Sequence, residues 1–120
     1  MDSKTTIKEL KEKMKVFSKE RDWTQFHGAK DLAIAISIEA GELLEHFRFK
    51  SEKEIELMFN NSKKKEDICN EIADILTYLV RLAQKYNIDL SDEFNKKIEI
   101  SKKKYPIEKF KGSNKKYNEI

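Results

Sequence analysis

The sequence predicts an all-α protein of one domain, and three features of the chain support this fold class. Its 120 residues include only 3 Gly and 1 Pro, which leaves few residues for the tight turns that sheets require. Hydrophobic residues make up 38% of the chain and charged residues 39%, a balance that favours helices. Apolar side chains also recur at helical spacing. A chain of this length buries only a modest core, so we expect oligomerisation to help complete it.

The first helix is predicted over residues 3–20. Its apolar positions follow a helical spacing and are Ile7, Leu10, Met14 and Phe17. Residues 21–30 break this pattern and bring Trp23, Phe26 and His27 into one loop. Large aromatic side chains are unusual in a loop unless they pack beneath another element or contact a ligand. We therefore predict a functional role for this loop.

The second helix is predicted from a cap at Asp31 to about Phe47, with small and aliphatic residues on nearly every side of its first half. Such a helix is expected to lie at the centre of the fold. Gly41 lies in its interior, where glycine costs about 1 kcal/mol relative to alanine. Either close helix packing or the close approach of a ligand must compensate for that cost. Residues 51–61 predict a short amphipathic connecting helix.

The third helix is predicted over residues 62–86, where isoleucines and leucines form a long apolar face. Cys69 lies within this pattern and is predicted to be a core thiol, and as the single cysteine it excludes a disulfide within one chain.

The fourth helix is predicted over residues 92–104, with Ser91 as its cap and a Pro106 stop. Its predicted inward positions are Phe94, Ile98 and Ile100. We accordingly expect a domain over residues 1–106 and an extended or partly disordered tail over residues 107–120.

Two acidic pairs with the same spacing lie within the two most apolar stretches: Glu39 with Glu42, and Glu71 with Asp74. Carboxylates three residues apart share one face of a helix. Burying an ionised carboxylate is costly unless a cation or hydrogen bonds compensate. Either pair alone would fit exposed acids beside lysines, but four such acids converging from two helices predict a divalent metal site.

Magnesium suits this set of acids because it prefers oxygen ligands and commonly combines carboxylates with waters and substrate phosphate oxygens. Zinc fits less well, since the candidate soft ligands Cys69, His27 and His46 show no standard motif spacing. We therefore expect Mg²⁺ as the cofactor.

The net charge of +3 reflects a local excess of lysine, in clusters at residues 63–65, 102–104 and 115–116. Each cluster is either a solvated segment or an attractor for a polyanion such as a triphosphate. The chain shows no nucleic-acid-binding signature, no apolar leader and no stretch that approaches the roughly 20 apolar residues of a membrane span. We expect a soluble, cytoplasmic protein that binds neither nucleic acid nor membrane.

Three runs occur in order along the chain, ERDWTQFH at residues 20–27, EAGELLE at residues 39–45 and EIADILTYLV at residues 71–80. With KKYP at residues 103–106 and Lys116-Tyr117, this set resembles the MazG-like nucleotide pyrophosphohydrolases, most closely the dCTP pyrophosphatase branch. The resemblance implies a four-helix core assembled as a dimer or tetramer. It also implies Mg²⁺-dependent hydrolysis of a nucleoside triphosphate, with dCTP or a modified dCTP as the first candidate, to the monophosphate and pyrophosphate.

The resemblance further implies roles for the residues that match the family's motifs. The family's metal-binding acids match Glu39, Glu42, Glu71 and Asp74. Its nucleoside pocket matches Trp23, His27 and Tyr78. The matching lysines Lys30 and Lys97 are either phosphate contacts or solvated side chains. Glu45 matches an acidic position of the branch and is either a metal ligand, an acid that contacts the metal ligands, or a solvated acid. In the proposed reaction Glu39 or Glu42 accepts the proton of the attacking water.

The chain departs from the family pattern at two positions in the substrate site. Phe49 stands where the nearest branch has a second Trp, so it keeps an aromatic face but lacks an indole N–H donor. Ser101 stands where that branch has an Asn and lacks the amide's paired donor and acceptor. The preferred base therefore stays open. Two rival functions also stay open: a nucleotide-sensing module without useful catalysis, and a structural helical oligomer.

Overall fold

The structure, a computed structural model, describes residues 1–119. Its α-helices are α1 (Ile7–Glu20), α2 (Ala29–Glu45), α3 (Glu52–Phe59), α4 (Ser62–Lys85), α5 (Leu90–Lys104) and α6 (Ile107–Phe110). Short 3₁₀ turns cover Thr24–Phe26 and Tyr117–Glu119. Over residues 1–119 the structure has no strand, which confirms the predicted all-α class.

Local side chains determine where four of these helices begin. The N-cap side chains that accept a backbone N–H are Thr6 for α1, Ser51 for α3, Asn61 for α4 and Asp89 for α5. At α1 the glutamate at the third helical position bonds back to the cap, which completes a capping box. These contacts satisfy N–H groups that have no partner within the helix.

Two predicted caps are wrong. Asp31 lies in the first turn of α2, after the N-cap Gly28, where its charge stabilises the positive end of the helix. The backbone N–H of Ala29 instead donates to the hydroxyl of Tyr86, a residue 57 positions away, at 3.1 Å. Ser91 likewise lies inside α5, which begins one residue after Asp89.

The chain divides into two compact units, the first covering Met1–Asn87 and the second beginning at Ile88. In the first unit α1, α2 and α3 each pack against α4, so the central helix is α4, whereas the sequence predicted α2. The most buried apolar side chains of the chain lie in α2 and α4 and are Leu32, Ile68, Val80 and Ala83.

In the second unit the residues after α5 turn back on the end of that helix. The ring of Tyr105 packs edge-on against Phe110 at 4.9 Å and against Tyr117 at 6.1 Å between ring centroids. The extended tail predicted over residues 107–120 is therefore wrong where α6 and the final 3₁₀ turn occur, and the domain boundary at residue 106 stays a prediction.

Two predicted burial assignments are also wrong. Cys69 is exposed, because it follows the buried Ile68 and a step of one residue turns a side chain to another face of the helix. A methyl group added at Gly41 would meet no atom within 4 Å, so close packing within residues 1–119 does not explain this glycine, and the close approach of a ligand stays a prediction. The predicted inward positions of α5 are 41–66% exposed: Phe94, Ile98 and Ile100.

None of the helices within residues 1–119 combines the length and apolar character needed to cross a lipid bilayer.

Candidate metal centre

Three of the predicted acids meet where α2 packs against α4. Carboxylate oxygens of Glu39, Glu42 and Glu71 all lie within 4.8 Å of one another. The three-residue spacing places Glu39 and Glu42 on one face of α2, and helix packing brings Glu71 of α4 against that face. Three carboxylates at this separation repel one another, so the cluster requires a cation or protons.

Two oxygens of the cluster are poorly satisfied by the protein itself. Oε2 of Glu39 and Oε2 of Glu71 are buried and have no hydrogen-bond partner within residues 1–119. Leaving a buried charged acceptor unpaired costs at least about 1–3 kcal/mol. A divalent cation with a preference for oxygen would satisfy both atoms and neutralise the cluster. The residues present therefore fit such an ion.

The pKa of Glu39 reports the same crowding. Burial is the largest cause that raises the pKa of Glu39 to about 7, followed by a hydrogen bond with Glu42 and the charge of Glu42. The charges of Asp74 and Glu71 act in the same direction. The first acid of the cluster thus holds a proton more readily than a solvated glutamate does when no cation is present.

A histidine that sequence reasoning set aside also lies at this cluster. Nε2 of His46 is 3.7 Å from Oε1 of Glu71, and both side chains are mostly buried. No motif spacing pairs them, since they are 25 positions apart. Glu45 instead directs its carboxylate to the guanidinium of Arg48 at 3.3 Å, on an exposed part of the helix end.

A cavity of about 270 Å³ lies between α1, α4 and the aromatic loop. Its walls are Met14 and Phe17 from α1, Trp23 and His27 from the loop, and Asp74, Thr77, Tyr78 and Arg81 from α4. The α4 residues follow a helical spacing and therefore share one face. Three of the sequence-predicted substrate residues, Trp23, His27 and Tyr78, thus line one cavity.

Asp74 connects the acidic cluster to the cavity. It lines the cavity, and it is near enough to Glu39 for its charge to raise the pKa of that carboxyl. It is not part of the group of three whose oxygens converge, and its predicted role as a fourth metal ligand stays a prediction. Asp74 is thus a carboxylate that lies both in the wall of the aromatic cavity and close to Glu39 of the acidic cluster.

The C-terminal end of α4 holds the aromatic loop in place. Nε of Arg81 donates to Nδ1 of His27 at 3.0 Å, and a terminal nitrogen of Arg81 donates to the hydroxyl of Thr24 at 3.3 Å. The ammonium of Lys85 donates to the carbonyl oxygen of His27. Trp23 packs edge-on against Phe17 of α1, with 5.6 Å between ring centroids. Sequence reasoning missed Arg81, although a charged residue within the apolar pattern of α4 was a signal for it.

Four other predicted substrate residues do not line this cavity. Phe49 is 90% exposed, with φ of 59° and the guanidinium of Arg48 over its ring. Lys30 is exposed in the first turn of α2. Lys97 and Ser101 lie on α5, in the second unit. Their roles stay predictions.

The raised pKa of Glu39 predicts how the stability of the metal-free protein depends on pH. The folded state binds this proton more tightly than the unfolded state does, whose pKa is near 4.5. The stabilisation is therefore present below pH 4.5 and is lost as the pH rises to about 7. In the presence of a chelator, we expect the melting temperature of the wild type to fall relative to that of Glu39→Gln across this interval.

Thermal unfolding at several pH values in both proteins measures this difference. Comparing the two proteins removes the contribution of the carboxylates outside the acidic cluster, which the variant retains. A difference in melting temperature that stays constant with pH would contradict the assignment.

A family profile, curated proteins and a solved structure all relate this chain to the same kind of protein. A family profile described as MazG-like matches residues 34–120. The chain is 33% identical over 115 residues to the rat protein dCTP pyrophosphatase 1, covering 96% of this chain and 68% of that protein. It is 32% identical over 115 residues to the human protein of the same name, with the same coverage. A solved pyrophosphatase structure from Archaeoglobus fulgidus superposes with a TM-score of 0.77 at 35% identity, covering 82% of this chain and 91% of that one.

Proposed function

Because the chain belongs to the MazG-like family and is a nucleoside triphosphate pyrophosphohydrolase, we propose that its substrate is dCTP or a modified dCTP and that its cofactor is Mg²⁺. The observation that carries this proposal is the position of Asp74, which joins a carboxylate cluster to an aromatic cavity. A nucleoside triphosphate has the matching polarity, with phosphates at one end and a flat base at the other. The curated relatives named for dCTP support the choice of base.

Glu39, Glu42 and Glu71 are the residues that would hold Mg²⁺, with Asp74 as the fourth ligand. Their oxygens suit a hard cation. Such a cation would also satisfy the two buried oxygens that have no hydrogen-bond partner within residues 1–119. When bound, Mg²⁺ supplies positive charge to the phosphate oxygens and lowers the pKa of a bound water.

Glu42 is the acid that we assign as proton acceptor. It is the most exposed member of the cluster, whereas Glu39 and Glu71 each direct one oxygen into the protein. Water attacks the α-phosphorus, the bond to the bridging oxygen of the β-phosphate breaks, and the proton of the water passes to the carboxylate of Glu42. The products are a nucleoside monophosphate and pyrophosphate.

The aromatic side chains of the cavity would bind the base. Trp23, His27 and Tyr78 offer ring faces and edges, and a volume of about 270 Å³ suits a base rather than a whole nucleotide. Stacking on these rings tolerates any base, so discrimination depends on hydrogen bonds to the base edge. Lys30 and Lys97 are proposed for the phosphates, and Phe49 and Ser101 for the nucleoside.

Incubation with a panel of nucleotides tests the proposed function. The panel comprises dCTP, a modified dCTP, dUTP and the common ribonucleoside triphosphates, each with Mg²⁺ and with a chelator. We expect pyrophosphate and monophosphate from the cytosine deoxynucleotides at the highest kcat/KM, and no product with the chelator. Binding without product would support a sensing module, and a higher kcat/KM for another base would overturn the choice of dCTP.

We further propose that the protein forms a homo-oligomer, a dimer or a tetramer, in which a second copy covers apolar faces of α2 and α4. Ile34 and Ile38 lie on one face of α2 and are 48% and 55% exposed. Ile72 and Leu76 lie on one face of α4 and are 51% and 44% exposed. Large apolar side chains exposed along one helix face favour an interaction site. Gly41 follows Ile38 by three residues on the same face and would allow a close approach.

We expect Ile38→Glu to convert the oligomer to a monomer, because a charge in an apolar interface loses its hydration. Analytical ultracentrifugation measures the mass. The matched control is Val16→Glu, which charges a comparably exposed aliphatic residue on α1 and should leave the mass unchanged. A wild type that sediments as a monomer at micromolar concentrations would overturn the proposal.

A further inference from the structure

Arg81 is a buried cation whose hydrogen-bond partners are all neutral. Its side chain is almost fully covered, with 3% exposure. Within residues 1–119 its donors reach Nδ1 of His27, the hydroxyl of Thr24 and the side-chain carbonyl of Gln84. Burying a guanidinium without a carboxylate partner costs free energy. Here the buried guanidinium makes a specific contact to His27, a residue of the base-binding cavity.

The contact between Arg81 and His27 fixes the protonation of the imidazole. A guanidinium has five N–H donors and no acceptor, so the nitrogen that it contacts must carry a lone pair. Nδ1 of His27 is therefore unprotonated, and the proton of the neutral ring lies on Nε2. Burial lowers the pKa of His27, and the charges of Arg81 and Lys85 lower it further, which keeps the ring neutral.

The residue that carries this imidazole belongs to the cavity wall. His27 lines the cavity beside Trp23 and Tyr78. Over residues 1–119 its Nε2 makes no hydrogen bond, while its Nδ1 and its carbonyl oxygen are both occupied. The ring therefore has one donor that the protein itself leaves for a ligand.

We propose that Arg81 is a positioning residue that holds His27 as the Nε2–H tautomer, so that the imidazole donates a hydrogen bond to an acceptor on the nucleobase, such as O2 of a pyrimidine. The proposal rests on the proposed function, because the ligand is the base of the substrate. With the opposite tautomer the same position would present an acceptor and favour an amino group. Cytosine and uracil both carry O2, so this contact selects for an acceptor and leaves the choice between them to other groups.

The tautomer can be measured directly in the wild-type protein. The chain has 2 histidines, so nitrogen-15 correlation spectra contain two imidazole systems, and His46→Gln assigns them. We expect the Nδ1 of His27 to show the shift of an unprotonated nitrogen and Nε2 that of a protonated one. Protonated Nδ1 overturns the proposal. The measurement needs no substrate, so its outcome is independent of whether the enzyme hydrolyses dCTP.

A double-mutant cycle tests whether Arg81 acts through His27. We expect Arg81→Met to raise KM for dCTP about tenfold, the worth of one hydrogen bond, with kcat changed by less than about threefold because the acids are untouched. In a His27→Phe background, which keeps a ring but lacks its nitrogens, the same change should alter KM by less than about twofold. Equal increases in both backgrounds would mean that Arg81 serves only structure.

Thr24→Val is the matched control, since it removes another partner of Arg81 and leaves the contact to Nδ1. Its KM should stay within about twofold of the wild-type value, and a tenfold increase would overturn the assignment to the imidazole. Melting temperatures establish that each variant is folded, and the nitrogen spectra decide the matter if Arg81→Met does not fold. A wild type that releases no pyrophosphate from any nucleotide defeats the proposed function and leaves the tautomer result intact.

Discussion

Glu42→Gln is expected to lower kcat for pyrophosphate release by roughly 100-fold or more while the protein stays folded. The amide has nearly the same shape as the carboxylate but cannot take up a proton and carries no charge for a cation. Glu42 is exposed and lies among Glu39 and Glu71, so the substitution removes repulsion rather than packing. The metal-free variant should therefore melt at a temperature no lower than that of the wild type.

Steady-state release of pyrophosphate from dCTP with Mg²⁺ measures the loss in Glu42→Gln. The matched control is Glu56→Gln, an exposed glutamate on α3 that is outside the acidic cluster, and its kcat should stay within about twofold of the wild-type value. We also expect Mg²⁺ to raise the melting temperature of the wild type more than that of the Glu42 variant. Normal turnover by Glu42→Gln would sink the assignment of the acidic cluster.

Trp23→Ala has the second largest expected effect, a rise in KM of about tenfold to a hundredfold, which corresponds to the loss of one base-stacking platform. The indole lines the cavity, and Phe17 and His27 contact its edges or face, so its position is fixed before a base arrives. Because the proposed chemistry occurs at the carboxylates, kcat should change less than KM.

Phe26→Ala provides the control for Trp23→Ala. Phe26 lies in the same loop, is 61% exposed and does not line the cavity. Its removal should leave KM for dCTP within about twofold of the wild-type value. Inhibition by pyrophosphate, which would bind at the acidic end, should be unchanged in both variants. A similar rise in KM in the two variants would show that the loop acts through its fold and not through the indole.

Helix boundaries were largely predictable because the signals that set them are local. The connecting helix predicted over residues 51–61 occurs as Glu52–Phe59, and the third predicted helix, residues 62–86, occurs as Ser62–Lys85. Side-chain caps at Ser51 and Asn61 begin them. One error arose where a distant residue supplied the partner, at α2, where Tyr86 accepts the first N–H and Gly28 replaces the predicted cap. The other error was local, because Asp89 caps α5 two residues before the predicted Ser91.

Burial was less predictable than helix position. The apolar pattern around Cys69 correctly indicated a helix, but which face of that helix lies against α2 depends on how two helices rotate against each other. The apolar spacing in α5 likewise predicted Phe94, Ile98 and Ile100 to face inward, but they are exposed. Periodicity identifies an apolar face, but it does not state whether this chain or a second copy covers it.

The sequence by itself determined that the protein is helical, that each acidic pair shares a helix face, and that aromatic residues occupy one loop, because spacing along a helix fixes these relations. Only the tertiary structure decided that Glu71 meets Glu39 and Glu42 and that His46 joins them. It also decided that Arg81 donates to Nδ1 of His27. These contacts join residues that lie 25 to 54 positions apart in the chain. They therefore depend on how the helices pack, which no local sequence pattern encodes.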